Sequence, residues 1–299
     1  MPLTVPLPAT KAENLQGAGF IALSMLGFAV NDALMKLVGP GIGLFQSVLL
    51  RSLFAMAMVV VIAYAFGALH RLPPRRDVGW MAARAVGEIG AVVCILTALF
   101  RMPLAAVSAI LQTLPLSLTL VGALFLGERV GWRRWLAILV GFVGVLVLVR
   151  PGAADFDPNA VWALAAVGFV TLRDAATRQL GRGVHSLFVT VVTTTVIVIL
   201  GALGVAVQGV WVPVDGPTLL GLAGAAAAIL VGYVFGVQGM RIGDIGFIAP
   251  FRYTILIWSM LLGFLLFAER PDAATWLGAA IIVAAGLYTF WRERRVAGG

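Results

Sequence analysis

The sequence predicts an all-α integral membrane protein, with ten transmembrane helices as two inverted five-helix repeats around a central cavity. Three observations carry this expectation. Of 299 residues, 61% are hydrophobic and only 11% charged, and the mean hydropathy is +1.04, more apolar side chain than one water-surrounded core can use. The apolar residues fall into ten runs, each close to the roughly 20 residues a helix needs to cross a bilayer. Short patterns in the first half recur about 140 residues later.

Residues 1–16 are polar and proline-containing, carry Lys11 and Glu13, and read as a cytoplasmic tail. The first apolar run, 17–38, has no Ala-x-Ala cleavage site and reads as an uncleaved span. Further spans are expected at 42–67, 79–100, 104–126, 132–150, 159–180, 185–207, 217–239, 245–267 and 273–291, with 292–299 as a second tail. Gly39-Pro40-Gly41, Pro73-Pro74 and Pro213 to Pro217 punctuate the short loops. Barrel strands would alternate residue by residue in pieces of about 10, and these runs do not.

Orientation follows from the basic residues outside the spans. With a cytoplasmic N-terminus, thirteen Lys and Arg fall on the cytoplasmic side, against Lys36, Arg101, Arg150 and Arg270 opposite. Both termini are therefore expected in the cytoplasm. Arg51, Arg84, Arg173 and Arg252 lie within spans.

The repeats are defined by residues 17–150 and 159–291. Asn31-Asp32-Ala33 through Lys36 and Gly39 matches Arg173-Asp174-Ala175 through Arg178 and Gly181, at an offset of 142. Phe100-Arg101 answers Met240-Arg241, Glu128-Arg129 answers Glu269-Arg270, and Trp135-Leu136 answers Trp276-Leu277. Five spans per half is an odd number, so the second copy enters the membrane from the opposite side. Inverted repeats of this kind belong to alternating-access transporters.

With Leu114-Pro115 and Leu126-Gly127-Glu128-Arg129 in the fourth span, and Ala249-Pro250-Phe251-Arg252-Tyr253 leading to Phe267-Ala268-Glu269-Arg270-Pro271 in the ninth, the whole chain resembles the drug/metabolite transporter superfamily in its ten-helix EamA-type branch. Ala268 stands where a glycine is common in that family. The resemblance implies secondary transport of small metabolites through a cavity formed mainly by the third, fourth, eighth and ninth helices. It is greatest to exporters of amino acids and aromatic metabolites.

Ionisable side chains inside a membrane are costly and usually face a partner or a water-filled cavity. Arg84 and Glu88 are four apart on one helix face, with Glu88 about 15 Å into its helix. Arg51 is similarly deep, and these three read either as buried ion pairs or as cavity lining, where an arginine grips a carboxylate through two hydrogen bonds. Arg252 has no acid within a turn or two on its own span, and with Tyr253, Trp258 and Tyr233 as an amphipathic wall it is the foremost candidate to touch substrate. Ser108, Gln112 and Thr113 add neutral hydrogen bonds beside Pro115, which frees a backbone carbonyl.

Asp32/Lys36 and Asp174/Arg178 are i,i+4 pairs in the favourable order, read as structural pairs or as gates at opposite ends. Glu88, Asp32 and Asp174 are the candidate proton carriers, because burial raises a carboxylate pKa. Glu128 and Glu269 read as scaffold, and Gly141-x-x-Gly144 and Gly221 to Ala228 as close helix contacts.

Other classes fit poorly. The net charge of +8 sits in short clusters between apolar runs, so no nucleic-acid partner is expected. One cysteine, Cys94, excludes a disulfide framework. His70 and His185 lie near loops without HExxH or GxSxG, and no phosphate-binding Gly-x-x-x-x-Gly-Lys-Ser/Thr loop exists. No metal, cofactor or enzymatic site is expected. The expected function is export of amphipathic metabolites, foremost amino acids, across the cell inner membrane by a monomer working with the lipid bilayer, with protons as the candidate coupling ion.

Overall fold

The computed structural model describes residues 10–65, 77–125, 131–153, 156–180, 186–242 and 245–297. Glu128-Arg129, His70 and His185 lie outside the described residues, and for Arg178 the backbone alone is described. The chain runs α1 Lys11–Ile42, α2 Leu44–Ala65, α3 Val78–Leu99, α4 Leu104–Leu111, α5 Leu114–Phe125, α6 Trp132–Val149, α7 Ala160–Gln179, α8 Ser186–Gln208, α9 Gly216–Ile242, α10 Ile245–Ile248, a 3₁₀ turn Ala249–Tyr253, α11 Thr254–Phe267 and α12 Ala273–Ala297. Among the described residues nine helical stretches are long and apolar enough to cross a membrane, and Ala273–Thr289 is a shorter apolar helix.

Three boundaries differ from expectation for local reasons. The Thr10 side chain and Glu13 form a reciprocal capping box, so α1 starts at Lys11 and takes in six residues read as tail. Pro40 lies inside the last turn of α1. The helix stops instead at Gly43, whose φ of 83° is accessible to glycine and whose N–H bonds the Gly39 carbonyl. α12 continues to Ala297, through residues also read as tail.

The fourth and ninth spans are broken. Gln112 and Thr113 interrupt α4 and α5 just before Pro115, and the 3₁₀ turn containing Pro250 interrupts the ninth. A ring in place of the N–H removes a helical hydrogen bond and crowds the preceding turn. Ala268 closes α11 in the left-handed conformation, φ 54°, which explains why glycine suits this position.

Packing crosses between the halves. α1 lies along α9, α3 along α7, α2 along α8 and α6 along α12, while α11 packs on α1 and both α4 and α5 pack on α7. Exchanging the two halves maps this pattern onto itself, with α1 taking the place of α7 and α3 that of α9. Glycines make the approaches possible. A Cβ on Gly27 would lie 2.7 Å from the Ala228 carbonyl oxygen, one on Gly87 2.7 Å from the Arg173 backbone nitrogen, and one on Gly144 3.0 Å from the Gly278 oxygen. Without a hydrophobic drive between helices in lipid, such close contacts supply the association. The main core gathers Met35, Val48, Leu99, Leu104, Ile110, Leu222 and Ile282 from both halves.

Candidate functional site

The glycine contact of α3 with α7 decides the central polar site. Because Gly87 meets the backbone of Phe169 and Arg173, the next residue, Glu88, is carried against Arg173. Glu88 Oε2 lies 3.5 Å from Arg173 Nη1, and Arg173 Nε donates to Asp174 Oδ1 at 2.8 Å. On α1, Asn31 Nδ2 donates to Asp32 Oδ1 at 2.9 Å, and Arg51 Nη1 from α2 donates to Asn31 Oδ1 at 3.3 Å. Arg84 Nη1 donates to Thr177 Oγ1 at 2.5 Å. Tyr233 of α9 feels the charges of Glu88, Arg173, Arg51 and Arg84 together, yet 48% of its surface is accessible. Phe28 stands edge-on to its ring at 5.3 Å between ring centres.

This arrangement corrects two expected pairings. Glu88 meets Arg173, with Arg84 turned to a hydroxyl, because the helix contact outranks the i,i+4 spacing. Lys36 does not pair with Asp32. Its Nζ lies 2.7 Å from Glu269 Oε1, donates to the Met102 carbonyl, and stands 5.2 Å from the centre of the Phe267 ring. Glu269 Oε2 also accepts from the Leu104 N–H at 2.8 Å. One node thus ties together the end of α1, the start of α4 and the end of α11. A depression of about 360 Å³ beside it is lined by Arg150, Asp157, Glu269 and Asp272; Asp272 pairs with Arg150 at 2.5 Å and Asp157 accepts from Asn159.

The helix breaks meet one another. Gln112 Nε2 donates to the Arg252 carbonyl at 3.4 Å, and the Ser108 and Ser259 hydroxyls bond at 2.7 Å. The Arg252 side chain is exposed, and among the described residues no carboxylate pairs with it. Its predicted companions separate from it. Trp258 Nε1 donates to the Ala22 carbonyl at 3.2 Å on α1, Tyr253 is buried against Gly286 of α12, and Ser108 is spent on Ser259. The expected wall of Tyr253, Trp258 and Tyr233 is therefore not assembled, because each ring turns to a different neighbour. The charged centre draws on α1, α2, α3, α7 and α9, so the first, second and sixth spans join the third and eighth, and the broken fourth and ninth border it.

Arg173 and Glu269 are the residues that sequence reasoning passed over as functional. A signal for Arg173 was present, since it occupies the repeat position of Asn31 and lies mid-span. The Asp32-to-Lys36 spacing drew attention to the wrong partner for Lys36.

Comparisons with known proteins agree with this architecture. The EamA-like transporter family matches residues 15–150 and 158–291, one match per half. The chain is 28% identical over 298 residues to the riboflavin transporter of Vibrio cholerae, covering 96% of this chain and 99% of that protein. It is 25% identical over 287 residues to the S-adenosylmethionine uptake transporter of Rickettsia felis, covering 94% of each. It is 27% identical over 274 residues to the pseudopaline exporter CntI of Pseudomonas aeruginosa, covering 90% of this chain and 94% of that one. A protein of known crystal structure, 21% identical, superposes with a TM-score of 0.61 over 91% of this chain and 96% of its own, a likeness of fold alone.

Proposed function

The chain belongs to the EamA-like transporter family, and from that premise we propose that it exports amphipathic metabolites, foremost amino acids including aromatic ones, across the inner membrane by alternating access. That it is a multi-pass membrane transporter of small metabolites follows from the family and its relatives. The cargo class rests on one observation. Arg51, Arg84, Arg173 and Glu88 lie within electrostatic reach of the half-exposed Tyr233, Asp32 acts on Arg51, and Asp174 is bonded to Arg173. Charges of both signs suit a zwitterionic head, and Tyr233 with Phe28 offers an aromatic face for the body.

The relatives' names are compatible with this reading. S-adenosylmethionine joins an amino-acid end to a heterocycle, and riboflavin is itself a flat heterocycle. Uptake and export both occur among them, and the outward direction is proposed on the resemblance to exporters of amino acids and aromatic metabolites. The count of basic residues supports an orientation with the Lys36–Glu269 end outside. Arg252 and Gln112, at the helix breaks, are proposed to touch cargo. Glu88, Asp32 and Asp174 are proposed as proton carriers, and Lys36 as part of the outer gate through Glu269. Since both halves build the centre, a monomer suffices.

The test is uptake by purified protein in liposomes, using a panel of amino acids with S-adenosylmethionine and riboflavin, with and without a pH gradient. Accumulation of amino acids above empty vesicles is expected. Accumulation of only the other two compounds overturns the amino-acid cargo, and no accumulation of any panel member overturns the whole reading.

A further inference from the structure

The two helix breaks share one local device, repeated across the halves. Thr113 Oγ1 donates to the Ile110 carbonyl at 2.7 Å, and Thr254 Oγ1 donates to the Phe251 carbonyl, also at 2.7 Å. In each case the threonine's own N–H is directed at the same oxygen, at 3.1 Å for Thr113. Thr113 and Thr254 are 141 positions apart, as are Ile110 and Phe251, the offset that relates Glu128-Arg129 to Glu269-Arg270. A return over three residues is not the ordinary habit of a helical threonine. Thr97, Thr119, Thr171, Thr194, Thr195 and Thr289 give their hydroxyls to the carbonyl four residues back, as threonine does on an α-helix. The three-residue return is the spacing of a 3₁₀ turn, and at each break one threonine pins it twice.

The breaks also lie opposite each other. α4 packs against α11, and Ser108, five residues before Thr113, shares a hydroxyl bond with Ser259, five residues after Thr254. Gln112, the residue before Thr113, reaches the carbonyl of Arg252, two residues before Thr254. Winding decides where these two side chains point. A residue advances about 120° in a 3₁₀ turn and about 100° in an α-helix, so over Ala249–Tyr253 the two windings differ by roughly 100° in all.

We propose that Thr113 and Thr254 are positioning residues, one in each repeat, whose hydroxyls hold the two breaks tightly wound and so aim Gln112 and Arg252 at the cargo. The proposal rests on the reading that Gln112 and Arg252 touch cargo, and it names what sets their direction. Thr113 is buried, and both threonines act through their neighbours. Without the hydroxyl, each carbonyl keeps a single bond from the backbone N–H, and the turn is free to relax towards α-helical winding.

The experiment uses the full chain in detergent with Cys94→Ala, and a single new thiol at Arg252→Cys or Gln112→Cys labelled by a water-soluble maleimide. Adding Thr254→Val should slow labelling at position 252 about fivefold, the population shift that one net hydrogen bond commands. Adding Thr113→Val should do the same at position 112. Thr254→Ser and Thr113→Ser keep the hydroxyl and should label at the unsubstituted rate. Thr97→Val removes a four-residue return on α3 and should leave both rates unchanged. In liposomes, Thr113→Val and Thr254→Val with Gln112 and Arg252 in place should raise KM for an accumulated panel member and spare the maximal rate. Labelling that is not slowed in either valine variant, equal slowing by serine or by Thr97→Val, or a fall in maximal rate at constant KM would each overturn the proposal. Where one valine variant fails to fold, the matching pair in the other half decides. Labelling needs no cargo, so the aim of the two side chains is settled whatever the liposome panel shows.

Discussion

Lys36 Nζ and Glu269 Oε1, from opposite halves of the chain, lie 2.7 Å apart, with side chains only 13% and 14% exposed. The pair does more than neutralise two charges. Glu269 keeps its second oxygen on the Leu104 N–H, which has no intrahelical acceptor at the start of α4. Lys36 meanwhile holds a carbonyl at Met102, in the turn before that helix. Side chains from two helices thereby fix where a third begins.

A double-mutant cycle should expose this coupling. Lys36→Met and Glu269→Gln are each expected to lower thermal stability, since either leaves a largely buried charge unpaired. Glutamine retains an acceptor for Leu104, so the combined variant should lose less than the sum, with a coupling of about 1–2 kcal/mol. Strict additivity in detergent melts would show the pair to be incidental.

Arg252→Ala should abolish liposome transport while membrane yield and melting temperature stay near native, because its exposed side chain is in no ion pair among the described residues. Loss of folded protein instead would assign Arg252 to structure.

Gly87→Ala should destabilise by about 1–3 kcal/mol, as overpacking does. Its Cβ would meet backbone atoms of Arg173 and Phe169 within 2.9 Å, and backbone cannot step aside as a flexible side chain can. Gly19→Ala, with nothing within 4 Å, should stay within about 1 kcal/mol of native. The two melting temperatures, measured side by side, check whether close approach of α3 and α7 is the cause.

Asp272, in the loop before α12, caps Thr275 and pairs with Arg150. Its pKa is lowered, chiefly by the hydrogen bonds from Thr275 and further by Arg150. A depressed folded pKa means the ionised carboxylate contributes stability above the unfolded value of about 3.9, lost as pH falls through the folded one. Asp272→Asn keeps the capping oxygen and removes the charge. It should melt slightly below native at pH 7, by about 0.5 kcal/mol for so exposed a pair. The gap should close on acidification below pH 4. A gap that persists there would exclude the charge as its source.

Much of this molecule was legible before any coordinates. Apolar runs placed the described spans within three residues except at the ends of α1 and at the end of α12, because hydropathy is a property of consecutive side chains. The five-span period was visible in repeated Asp-Ala, Glu-Arg and Trp-Leu patterns, and it required the halves to be inverted. Gly141-x-x-Gly144 was read as a contact and meets Gly278. The backbone carbonyl freed by Pro115 was read from the sequence, whereas the contact of Gln112 with the Arg252 carbonyl at the other helix break was not.

Sequence by itself determined the membrane class, the number and approximate limits of the spans, the doubled architecture and the set of charges within it. Only the tertiary structure decided which charges meet. Lys36 was four residues from Asp32 and bonded Glu269 from the other half; Glu88 was four residues from Arg84 and met Arg173. Spacing within a helix specifies a face, but the partner depends on how far two helices rotate and approach. At α3 and α7 that is set by a missing Cβ at Gly87 against a neighbour's backbone.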